Sequence, residues 1–192
     1  MSESTNEVSR PASPARSAAV FCAAADGARP EYRAVAAELG RALAGRGIGL
    51  MYGGAKIGLM GSVADATIAA GGYVVGVIPH VLVDKEIAHD GLHELHVVDT
   101  MHTRKRLIGE RSDAFLVLPG GFGTFEELFE VLAWQSLNLH AKPVVLLNIC
   151  GFYDTMLAFL GVCEREGMLR GNRHRLLVAT TVQEALLLAG LA

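Results

Sequence analysis

The sequence predicts an α/β fold: one domain built on a doubly wound parallel sheet of about six or seven strands. Apolar runs of strand length alternate with amphipathic runs of helix length along the chain. Parallel strands need such crossovers between them. The run at 114–118 (Ala-Phe-Leu-Val-Leu) is apolar at every position, as in a strand covered on both faces. Two runs lead directly into glycine-rich turns that open helices, at 53–61 and 119–123. A chain of 192 residues without an internal repeat suits a single domain with a sizeable core.

Residues 1–17 are rich in Ser, Pro, Ala and Glu. They are expected to form a disordered N-terminal tail, with no apolar run to make a signal peptide. The domain spans 18–192. Its first strand is read at 18–25, then a helix from Glu31 to Ala44, preceded by Pro30 at a first helical position. Strands follow at 48–52 and 73–78, separated by the 53–61 turn and a helix to Ala70. The stretch 80–91 is polar and irregular, as a surface loop or lid. A strand at 94–98 precedes a helix capped by Asp99 or Thr100 and reaching about Arg111. The 114–118 strand, a helix to about Leu137, a strand at 144–149, a helix at 153–166, a strand at 176–179 and a helix capped by Thr181 complete the order.

Composition excludes several classes. The net charge of −3 gives no basic field for nucleic acid. No apolar stretch approaches the roughly 20 residues of a membrane span. Three cysteines without ligand spacing suit a reducing, cytoplasmic setting. Cys22 and Cys150 sit in apolar runs and are expected in the core. His80, His89, His93, His96 and His174 lack metal-ligand spacing, so no metal is assigned. Lys56, Lys85, Lys105 and Lys142 lack a Schiff-base context, so no cofactor is assigned. Lys56 reads as a solvated surface residue, and Trp134 as a core or subunit-interface residue.

The chemistry-bearing stretch is Pro119-Gly120-Gly121-Phe122-Gly123-Thr124-Phe125-Glu126-Glu127. A strand ends, glycines turn, and a helix starts with free N–H groups and its positive dipole end forward, as an anion site requires. It is not a P-loop, because Thr124 and Phe125 follow Gly123 where Lys-Ser or Lys-Thr is needed. Nor is it a dinucleotide fingerprint, because Glu126 stands at the third glycine. Thr124-x-x-Glu127 is also a capping box, so Glu127 has a purely structural reading beside a catalytic one. Ligands of doubly wound sheets bind at the carboxyl ends of strands. The segments 53–61, 99–106 and 119–127 all follow such ends and are expected to share one crevice.

The sequence resembles the Lonely Guy (LOG) family, cytokinin-activating phosphoribohydrolases long mislabelled as lysine decarboxylases. The stretch from Pro119 to Glu127 matches the family's PGGxGTxxE signature, and Met101-His102-Thr103-Arg104-Lys105 its MHxRK segment. Tyr52-Gly53-Gly54 with Gly58-Leu59-Met60-Gly61 matches YGGxxxGLMG, and His140, Lys142, Pro143 and Asn148 also fit. The resemblance implies a Rossmann-like fold, a homodimer or higher homo-oligomer, and a small-molecule nucleotide substrate. It implies hydrolysis of the N-glycosidic bond of N6-substituted adenosine 5′-monophosphates, giving free base and ribose 5-phosphate. It points to Arg104 and Glu127 as the catalytic pair. It points to Gly120, Gly121, Gly123, Thr124, Lys105, Glu126, Gly53, Gly54, Met101 and His102 as substrate-binding. Cys22-Ala23-Ala24-Ala25 departs from the family's Cys-Gly-Ser-Ser. That loss of hydroxyls motivates an alternative, a nucleotide-binding or sensing protein with little turnover.

Overall fold

The computed structural model describes residues 13–83, 88–169 and 176–192. The expectations for residues 1–12, Lys85 and His174 lie outside the described residues. Among the described residues, seven strands are ordered β4-β3-β2-β1-β5-β6-β7, every neighbouring pair parallel. They are β1 (Ser17–Phe21), β2 (Gly49–Tyr52), β3 (Val74–Pro79), β4 (Glu94–Val98), β5 (Ala114–Val117), β6 (Val144–Leu147) and β7 (Leu176–Ala179). The helices are α1 (Pro30–Ala44), α2 (Gly58–Ala69), α3 (His80–Val83), α4 (Met101–Glu110), α5 (Phe122–Ser136), α6 (Asp154–Arg165) and α7 (Val182–Leu188).

Strand side chains alternate between two cores because successive residues point to opposite faces. Ala18, Val20, Leu50 and Leu116 pack with α1, α2 and α7. Ala19, Phe21, Met51 and Phe115 pack with Ile108 of α4 and Leu128 and Val131 of α5. The central strands β1, β2 and β5 carry almost no exposed position, which explains their unbroken apolar runs. The chain leaves β1 toward β2 on one side, while β5 pairs on the other, Ala19 opposite both Met51 and Phe115. The strand order therefore reverses between β1 and β5, and a crevice opens at their carboxyl ends.

Four expectations are corrected. Pairing stops at Phe21, so 22–25 is a loop rather than strand; the Ala23 amide donates to the Pro119 carbonyl at 3.1 Å instead. Ser17, read as tail, opens β1 and donates from its backbone N–H to Asp113 at 2.8 Å. Residues 80–83, read as irregular, form the short α3. Cys150 is exposed with φ 52°, not core, because β6 ends at Leu147 and Asn148 turns the chain. The Asn148 side chain accepts from the Tyr153 amide (2.8 Å) and donates to Asp154 (2.7 Å).

Candidate active site

The crevice is a cleft of about 400 Å³, lined by the end of β1, the β2 and β5 turns, and one face each of α2, α4 and α5. Its three corners are set by different local rules. The first is the start of α5. Gly121 is the N-cap and Phe122 the first helical residue, and no side chain caps the end. A Cβ on Gly121 or Gly123 would meet no atom within 4 Å. The first-turn N–H groups thus face open space with the helix dipole behind them.

This placement removes the capping-box reading. Thr124 is the third helical residue, not the cap. Its buried side chain packs on Gly120, where a Cβ would overlap it. Glu127 lies in the second turn, 8% exposed, and lines the cleft.

The second corner is α4. Thr100 caps it by accepting from the Thr103 amide at 3.1 Å, and the first turn then carries Arg104 inward, 5% exposed. Arg104 Nη2 donates to the Gly53 carbonyl at 3.4 Å and lies 3.9 Å from Glu127 Oε1. Nη1 lies 3.7 Å from Met101 Sδ, and the buried Nε has no hydrogen-bond partner. At 3.9 Å the pair attracts but does not close into a short hydrogen bond. The guanidinium keeps a donor, Nε, for a ligand oxygen. Gly53 makes this possible, since a Cβ there would overlap the guanidinium.

The third corner is the 22–25 loop. Cys22 lines the cleft, and burial, with the Glu127 charge adding to it, pushes its thiol far above the usual range. It stays a neutral thiol and is no nucleophile. Ala23, Ala24 and Ala25 present methyl groups and backbone only. Tyr153 braces the end of β5 from beneath, its hydroxyl donating to the Leu118 carbonyl at 2.7 Å; burial raises its pKa, so the donor is retained.

A family model described as "Possible lysine decarboxylase" matches residues 60–189. A cytokinin riboside 5′-monophosphate phosphoribohydrolase of Rhodococcoides fascians is 46% identical over 173 residues, 89% of this chain and 87% of that protein. The chain belongs to the Lonely Guy family. A rice protein (Oryza sativa subsp. japonica) named as a probable enzyme of the same kind is 46% identical over 164 residues, 85% of this chain and 72% of its own. The solved molybdenum cofactor binding protein of Rippkaea orientalis superposes with a TM-score of 0.69 at 20% identity, covering 90% of this chain and 94% of that one. At that identity the likeness shows the fold alone.

The Lonely Guy motifs divide in space. Gly53, Met101, Arg104, Gly121, Gly123, Thr124 and Glu127 line the cleft. Five other residues expected to bind substrate do not. Gly120 is buried under Thr124. Gly54, at φ 80°, accepts from the His89 amide at 2.9 Å through its carbonyl. His102 is exposed on α4. Lys105 is turned away from the cleft, bonded to Glu126 and to Glu130. Lys56 pairs with Asp90 at 3.2 Å on the surface, and Lys142 donates to the Gly109 carbonyl. None of these three lysines lines the cleft. Trp134 is half-buried, its ring 3.5 Å from where a Cβ on Gly109 would stand. Val20, Cys22 and Met60 also line the cleft; the end of a central strand, and the glycine turn beside it, were the signals for them.

Proposed function

We propose that this protein hydrolyses the N-glycosidic bond of adenosine 5′-monophosphates, N6-substituted ones included, releasing free base and ribose 5-phosphate. The observation that carries the reading is the meeting of a buried guanidinium and a buried carboxylate, 3.9 Å apart, beside an uncapped helix start. The helix start takes the 5′-phosphate. Arg104 is a guanidinium, a planar fork of five N–H donors with no acceptor. It holds phosphate or ribose oxygens and orients Glu127. The Glu127 carboxylate stabilises the oxocarbenium-like sugar carbon or takes a proton from the attacking water. Water supplies the hydroxyl to the sugar carbon and, in net, the proton to the departing base.

The apolar residues exposed along α5 and just after it (Phe122, Phe129, Leu137, Leu139) support a homodimer or higher homo-oligomer. The free cysteines Cys22, Cys150 and Cys163 support a cytoplasmic setting. The alanine loop at 23–25 favours a second reading, a nucleotide-binding protein with little turnover.

The test is chromatography of base and ribose 5-phosphate released from isopentenyl-AMP, AMP, adenosine, ADP and ATP. The monophosphates are expected to react far faster than the others. Equal rates on adenosine and AMP contradict the phosphate seat. Tight AMP binding without base release establishes the second reading.

A further inference from the structure

Two charge pairs run side by side between α4 and α5. Arg104 and Lys105 are consecutive on one helix, Glu126 and Glu127 on the other. Consecutive helical residues point about 100° apart, so the inner pair faces the cleft while the outer pair does not. The outer pair is closed. Lys105 Nζ bonds Glu126 and, one turn along α5, Glu130 at 2.9 Å. The inner pair is open at 3.9 Å. We propose that Lys105 is a positioning residue. Its clamp on Glu126 and Glu130 sets the distance between the helices and so holds Arg104 and Glu127 apart, ready for substrate.

Three features carry this. The Lys105 side chain is only 7% exposed, and a lysine that deep is almost always paired. Burial opposes its charge, yet the carboxylates of Glu126 and Glu130 outweigh burial and raise its pKa, so the clamp stays charged. Glu126, Glu127 and Glu130 crowd neighbouring positions of α5, and Glu130 Oε2 is buried without a hydrogen-bond partner. With Lys105 gone, Arg104 still stands 3.9 Å from Glu127 on this acidic face. It would be drawn onto α5, closing the inner pair and removing both groups from the substrate.

The proposal rests on Arg104 and Glu127 being the reacting pair, and the experiment separates the two. Steady-state base release from AMP is measured for the wild type, Lys105→Met, Lys105→Arg and the double variant Glu126→Gln/Glu130→Gln. Folding is checked by circular dichroism. Lys105→Met is expected to lower kcat about 10- to 30-fold with a smaller rise in KM, because Arg104 is drawn off the substrate while the α5 helix start still seats the phosphate. Lys105→Arg, which keeps the cation, restores most of kcat. If Lys105→Met fails to fold, the double variant opens the same clamp with Lys105 in place and is expected to show the same kcat loss. Unchanged kcat in a folded variant without the clamp overturns the proposal. So does a KM raised tenfold at unchanged kcat, which would make Lys105 a ligand contact. A wild type that binds AMP but releases no base overturns the hydrolase reading instead, and the clamp as a catalytic device falls with it.

Discussion

The two glycine-rich turns look alike in sequence and do opposite work. Each follows a buried strand and opens a helix, β2 into α2 and β5 into α5. At the α2 turn Gly58 and Gly61 admit other protein backbone. Gly58 has φ +60°, and a Cβ there would overlap the Ala24–Ala25 backbone; one on Gly61 would overlap the Lys56 carbonyl. The Met60 amide is taken by the Ala23 carbonyl at 3.3 Å. At the α5 turn, Gly121 and Gly123 face nothing within 4 Å. Glycine spacing says that a backbone must come close to something. Whether that is the chain itself or a ligand is decided by tertiary packing. Here the 22–25 loop fills the first turn and leaves the second open.

Substitutions at the two turns should therefore fail in different ways. Gly58→Val combines a left-handed backbone, costing about 1–2 kcal/mol, with a clash against backbone that cannot yield. A loss of about 3 kcal/mol or more is expected. At this chain length that is a fall of about 6–12 °C in Tm by calorimetry. A Tm within a degree of wild type would mean that the α2 turn is as open as the α5 turn. Gly123→Ala should leave Tm no lower, since Ala favours a helix by up to about 1 kcal/mol over Gly. Its methyl group stands in the cleft, and KM for AMP is expected to rise about tenfold, or about 1.4 kcal/mol.

The smallest effect belongs to a cluster at the sheet edge, away from both turns. Arg111, bonded to Glu94 at 3.1 Å, together with His96 and Tyr73, holds the Glu94 carboxyl down to about 2 against the opposing effect of burial. A depressed pKa contributes stability that is present above the ordinary value near 4.5 and lost as pH falls through about 2. Denaturation curves should show Glu94→Gln losing less stability than wild type across that window. Base release at neutral pH should be equal in both.

Most of the fold was legible because alternation and full burial are local signals. Among the described residues, the strands stand where the sequence carries runs of strand length, fully apolar at the centre and mixed at β4. The run through 22–25 misled because an apolar loop at a strand end has the composition of a strand; only pairing, which stops at Phe21, separates them. Cys150 misled in the same way, its backbone turned by Asn148. In the site, Thr124 and Glu127 had the spacing of a cap, but the N-cap stands three residues earlier, at Gly121. Lys105 and Glu126 sit in the same motifs as Arg104 and Glu127, and motif membership carries no direction. One helical step turns each of them out of the cleft.

If the open α5 turn seats the nucleotide and Glu127 reacts with it, Glu127→Gln separates the two roles. The variant keeps the shape of the side chain and changes its charge. Calorimetric titration with AMP should give a Kd within a few-fold of wild type, while base release from the same nucleotide falls by about 10²-fold or more. A folded Glu127→Gln protein that releases base at the wild-type rate would leave Glu127 with a structural role only.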